Sequence, residues 1–250
     1  MVQGLEKFKE YFEEFTEKYV FIGGTACDLL MNGLGISFRV TKDLDIVLLV
    51  EKLDKTFANR FWEFIEDGGY DNRSKSNDRA KFYRFQNPKD NAYPLMIELF
   101  CRKSEAFEKN VESRLTPIHI DDSVSSLSAI LLDNNYYDEL LKGKQIVDGF
   151  SVIDLETLIL FKIKAWLDLT FRSKSDVSIS SRDIKKHKND VFRLLTGVRP
   201  SKSMQLNRKT QSDVSLFIDL VKLDPPDLHN IGIENVSLSE LFDLLWRITH

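Results

Sequence analysis

The stretch FIGGTACDLLMNGLGISFRVTKDLDIVLLV, residues 21–50, decides how the rest of the chain is read. An apolar strand over 19–22 runs into Gly23-Gly24, and a short helix is expected over 25–32. Arg39-Val-Thr41-Lys42-Asp43-Leu44-Asp45 then leads into a second apolar strand over 44–50. Side chains at i and i+2 of a strand share a face. Asp43 and Asp45 therefore project together, while Leu44 and Ile46 turn the other way. Two carboxylates at the mouth of a buried strand repel each other, and burial penalises them further unless a cation is near. A hard oxygen pair of this kind suits Mg²⁺. The plain alternative is a polar strand entry neutralised by Lys42 and Arg39.

A third carboxylate, Glu98, lies in PLMIELF, residues 94–100, where alternation places Met96 and Phe100 on its face. A glutamate in so apolar a run needs a counter-charge or a metal; otherwise it faces outward from an edge strand. Three carboxylates converging from neighbouring strands would hold two divalent metals, one activating a hydroxyl and one clamping phosphates. Gly23-Gly24 adds backbone N–H groups at the positive end of a helix, which favours a phosphate. Glycine permits its close approach, and Thr25 adds a hydroxyl. A tight turn would explain the same glycines.

The chain of 250 residues is long enough for one large domain or two modest ones. A formal charge of −4 argues against bulk nucleic-acid or membrane binding as the main purpose. Between Arg182 and Lys209, however, nine basic residues stand against two acidic ones. That segment suits a phosphate-rich partner or a solvated helix face equally. Cys27 and Cys101 lack metal-ligand spacing, which points to reduced thiols and a cytoplasmic protein. No apolar run has the length of a membrane span.

Helices are expected over 4–18, with Leu5, Phe8, Phe12 and Phe15 on one face, and over 55–66, ended by Gly68-Gly69. Alternation predicts strands over 81–86 and 95–100. Between 104 and 150 the pattern weakens: a helix over 104–110, a strand at Ile118 and Ile120, and a helix over 136–141. From about 151 the texture becomes helical, with DLETLILFKIKAWLDL capped by Asp154. Further helices are expected over 182–195, where Ile184, His187, Val191 and Leu194 recur at helical spacing, and over 212–222 and 237–248, and GVRPSKSMQLNRKTQ is read as a polar loop. Lys162 has Leu158, Ile159, Ala165 and Trp166 as its helical neighbours, and no carboxylate of its own helix is placed to pair with it. It needs an anion from elsewhere, such as a nucleotide phosphate, or it snorkels to water. Lys164 has Asp168 at i+4.

Ile-Gly-Gly-Thr-Ala, then Phe-Arg-Val-Thr-Lys-Asp-Leu-Asp, then Glu98 on a later strand resembles the nucleotidyltransferase superfamily of DNA polymerase β fold. Within it, the sequence is most similar to the branch of abortive-infection nucleotidyltransferase toxins. In the second half, Lys162-Ile-Lys-Ala165 and Lys186-His187-Lys-Asn-Asp190 match that branch's helical patterns. Its usual serine after the first turn glycine is Gly24 here. The resemblance implies an α+β fold: a mixed-sheet catalytic domain over 1–150 and a helical domain over 151–250 that closes a nucleotide cleft. It implies an NTP substrate with two Mg²⁺ on Asp43, Asp45 and Glu98, with Glu98 also serving as proton acceptor. It implies triphosphate held by Gly23, Gly24, Thr25 and Lys162, with Arg39, Thr41 and Asp190 as further nucleotide-binding residues. An RNA end or protein side chain as acceptor, and an antitoxin partner, follow from the same branch. Two other readings stay open: a small-molecule nucleotidyltransferase, and a non-catalytic nucleotide-binding module.

Overall fold

The computed structural model describes residues 2–38, 41–72, 83–101, 133–199 and 203–250. Arg39, the expected helix over 104–110, and the strand at Ile118 and Ile120 lie outside the described residues. The described chain divides into two units: 1–132 with 144–153, and 133–143 with 154–250.

The first unit is built on a mixed sheet. Its strands are β1 Tyr19–Phe21, β2 Asp43–Leu48, β3 Asp71–Asn72, β4 Tyr83–Gln86, β5 Met96–Cys101, β6 Lys144–Val147 and β7 Phe150–Ile153. Their spatial order is β3-β4-β5-β2-β1-β7-β6. β2 pairs in parallel with β5, and β1 with β7. The neighbours β1–β2, β3–β4, β4–β5 and β6–β7 are antiparallel. The helices of this unit are α1 Leu5–Phe12, α2 Gly23–Gly33 and α3 Lys55–Gly68.

Register sorts the sheet into two faces. Tyr19 and Phe21 stand opposite Leu48 and Ile46, and Phe85 opposite Ile97. This apolar face is covered by α1 and α3 through aromatic contacts: Phe8 lies 5.2 Å from Tyr19 and 5.1 Å from Phe21, and Phe61 lies 5.6 Å from Phe85. Phe8, Phe12, Phe57, Phe61 and Phe64 are buried together. Asp54 caps α3 by accepting from the Phe57 N–H, and Gly69 ends that helix at φ 60°. The opposite face carries Asp43, Asp45, Glu98 and Arg84.

The β6–β7 hairpin is absent from the sequence-based expectation, although its signal was present. Asp148-Gly149 joins the strands with φ values of 52° and 85°. Those values belong to the tight hairpin turn that Asp-Gly favours. β7 is buried throughout and runs directly into the helical stretch that begins at Asp154.

The second unit is helical, as the α+β class with a helical C-terminal part requires. It contains α4 Asn134–Gly143, α5 Leu155–Arg172, α6 Ser181–Leu195, α7 Arg208–Leu223 and α8 Leu238–Thr249. α5 is buried on nearly every side and packs against α4, α6 and α7. Trp166 meets Phe217 at 5.2 Å, and Phe192 meets Phe242 at 5.7 Å. α7 starts earlier than its apolar pattern suggested. Asn207 accepts from the N–H groups of Lys209 and Thr210, so residues 208–211, expected in a loop, form the first turn. No helix of the described residues is long and apolar enough to cross a membrane.

Candidate active site

Chain direction explains why the glycine bend and the aspartates meet. β1 runs antiparallel to β2 with Phe21 opposite Ile46. One residue on, the Ile22 N–H donates to the Asp45 carbonyl at 3.0 Å, and the chain then leaves the sheet at Gly23. The bend therefore forms at the level of Asp45. Gly23 has φ 61°, and a Cβ there would stand 1.9 Å from Asp45 Oδ2. Both the backbone conformation and the space require glycine. Gly24 is buried, and a Cβ on it would meet Thr41 Oγ1 at 2.5 Å. Its N–H donates to Asp45 Oδ2 at 3.3 Å. An anion thus already lies at the positive end of α2, where the sequence suggested a phosphate.

Asp43 and Asp45 are both half-buried and share the polar face of β2. In the parallel pairing Asp45 stands beside Glu98, and Asp43 beside Met96. The three nominated carboxylates thus occupy one face of two adjoining strands. Their carboxyl groups are not gathered, however: among the described residues no group of three or more His, Cys, Asp or Glu side chains is placed to hold a metal ion. The reason lies one strand further. Arg84 on β4 stands opposite Glu98 and forms an ion pair with it. The cation that Glu98 needed is an arginine. Hard carboxylate oxygens at i and i+2 still suit Mg²⁺, so Asp43 and Asp45 are the pair that would hold it, with Glu98 within one strand of them.

Thr25 is fully buried, and its hydroxyl donates to the Asp43 carbonyl at 2.7 Å. This bond ties the start of α2 to the start of β2 and braces the first aspartate. Thr41 is half-buried against Gly24.

In the helical unit the anion that Lys162 required is Asp190. Lys162 Nζ lies 3.2 Å from Asp190 Oδ2, with side-chain exposures of 6% and 0%. Arg193 Nη1 lies 3.5 Å from the other Asp190 oxygen. Asp190 is thus buried, bound by Arg193 of its own helix and across helices by Lys162, which joins α6 to α5. Lys162 and Asp190, both expected to bind nucleotide, neutralise each other. Lys164 donates to Asp168 at 2.9 Å, as its spacing implied, and lies 3.9 Å from Asp213. Asp213 also accepts from Lys209 at 2.9 Å and from the Tyr136 hydroxyl at 2.9 Å. Burial, with Asp213 beside it, holds the Tyr136 hydroxyl far above its ordinary range, and the hydrogen bond to Asp213 raises Lys209. On α6, Val191 and Leu194 are buried as their spacing predicts, whereas Ile184 and His187 are only half-buried. Lys188 is buried instead, donating to the Asp224 carboxylate at 2.6 Å.

No family model matches the chain, and no curated protein does. Among solved structures, the antibiotic-resistance factor ANT(2'')-Ia aligns with TM-score 0.38 and 11% identity over 88% of this chain and 91% of that one. JHP933 from Helicobacter pylori aligns with TM-score 0.35 and 16% identity over 98% of this chain and 90% of that one. At scores this low, function rests on the site's own residues.

Proposed function

We propose that the first unit is the catalytic part of a nucleotidyltransferase, moving an NMP from an NTP to a hydroxyl acceptor with release of pyrophosphate. The observation that carries this reading is the convergence of Asp43, Asp45 and the Gly23-Gly24 bend, with Glu98 beside Asp45 in the next strand. A glycine bend that abuts one of two paired carboxylates suits a triphosphate neutralised by divalent cations.

In this reading Asp43 and Asp45 hold Mg²⁺, which supplies charge stabilisation to the phosphates when bound. The Gly23 and Gly24 amides orient the triphosphate once the Asp45 carboxylate yields the Gly24 N–H. Glu98 accepts the proton of the acceptor hydroxyl. Most of the rate enhancement then comes from positioning and electrostatics. Lys162 and Asp190 take the structural role of joining two helices, and Thr25 that of bracing Asp43.

The acceptor we favour is macromolecular, an RNA end or a protein side chain, with the chain acting as a toxin restrained by an antitoxin. The support is the exposed Arg182, Lys185 and Lys186, which lie at helical spacing on one side of α6. The test is to incubate the full chain with labelled NTPs and Mg²⁺ in the presence of total RNA, total protein or aminoglycoside-like hydroxyl compounds. Label on RNA or protein is the expected result. Label on the small compounds moves the assignment to that class, and no label with any acceptor overturns the transferase reading. Growth arrest on expression is expected of the toxin, and unaffected growth counts against it.

A further inference from the structure

Across three neighbouring strands one row of side chains reads Asp45 on β2, Glu98 on β5 and Arg84 on β4. Directly paired residues project to the same side of a sheet. Glu98 therefore has an anion on one flank and a cation on the other. Repulsion from Asp45 and attraction to Arg84 act in the same direction, away from the aspartate pair. The Glu98 side chain is 16% exposed and that of Arg84 40%. The Arg84 side chain is the more exposed partner, although its Nε is buried, so the arginine can turn to water while a cation entering the site takes over the charge of Glu98. Asp45 is engaged as well, through the Gly24 N–H.

We propose that Arg84 is a built-in competitor for the third carboxylate. It positions Glu98 away from Asp43 and Asp45, so that a divalent cation entering the site must displace the guanidinium to recruit Glu98. This rests on the nucleotidyltransferase reading above and adds to it the residue that sets how readily the acidic set assembles. Arg84 is a positioning residue here, acting through Glu98.

The test is Mn²⁺ binding by calorimetry, without nucleotide, to the full wild-type chain, Arg84→Met, Glu98→Gln and the double variant. Arg84→Met should bind Mn²⁺ about fivefold more tightly, the share expected of an ion pair with one partly exposed partner. In the Glu98→Gln background the same substitution should give no gain. A gain of equal size in both backgrounds would mean that the lost positive charge acts through space, and the proposal falls. Unchanged or weaker binding by Arg84→Met also overturns it. Should Arg84→Met fold poorly, Arg84→Lys keeps the charge but loses the planar fork. It should then give a smaller gain that again depends on Glu98, and no gain refutes the proposal. The underlying reading fails separately: Mn²⁺ binding that is undetectable in the wild type, or unaffected by Asp43→Asn, removes both.

Discussion

The chain carries two sets of charged residues that its sequence nominates together, and they differ in the source of their counter-charge. In the helical unit, Lys162 and Asp190 are buried and complete each other at 3.2 Å. In the sheet unit, Asp43 and Asp45 are half-buried like charges held on one face of a strand, and the Gly24 N–H donates to the Asp45 carboxylate. A buried charge whose partner belongs to the same fold serves packing and specificity. Like charges kept side by side at partial exposure are held against repulsion, and that arrangement suits a divalent cation.

Lys162→Met should have the largest effect, and on stability. It removes a buried cation from the fully buried Asp190, which should cost about 3–5 kcal/mol in chemical denaturation. The double change Lys162→Met with Asp190→Leu should recover most of that loss. A single variant of wild-type stability with weakened NTP binding would reverse the comparison. Asp43→Asn should do the opposite: nucleotide transfer falls roughly 10²–10³-fold, with the melting transition and circular dichroism little changed. Transfer at the normal rate would remove the sheet site from consideration.

Gly23→Ala should come next, combining a strained φ with a clash on Asp45 and costing about 1–3 kcal/mol. The informative readout is Mn²⁺ binding, which should weaken along with stability because Asp45 must move. Asp54→Ala is the smallest change, a lost helix cap worth about 1 kcal/mol. The Lys18 ammonium, with the Phe57 N–H, holds the Asp54 carboxyl below the ordinary carboxylate range. Its contribution is therefore present above the unfolded-state value and lost as pH falls through the lower folded one. Wild type and Asp54→Ala should converge in stability at strongly acidic pH. A gap that persists there would assign the effect to something other than the carboxylate.

Sequence by itself determined the local elements and the shared face of the aspartates, because strand and helix periodicities follow from backbone geometry alone. Asp43 and Asp45 had to project together, Gly68-Gly69 had to end a helix, and the phenylalanines of α1 had to find a core. Asp148-Gly149 was equally legible as a hairpin turn. Only the tertiary structure decided what each charge meets. Strand register put Arg84 beside Glu98 and Asp45 on its other side, and helix packing brought Asp190 to Lys162. Those partners lie far apart along the chain, and no periodicity encodes a register between separate strands or a contact between separate helices. The same limit applies to Thr25, whose hydroxyl was visible in the sequence but whose engagement with the Asp43 carbonyl depends on how α2 lies against β2.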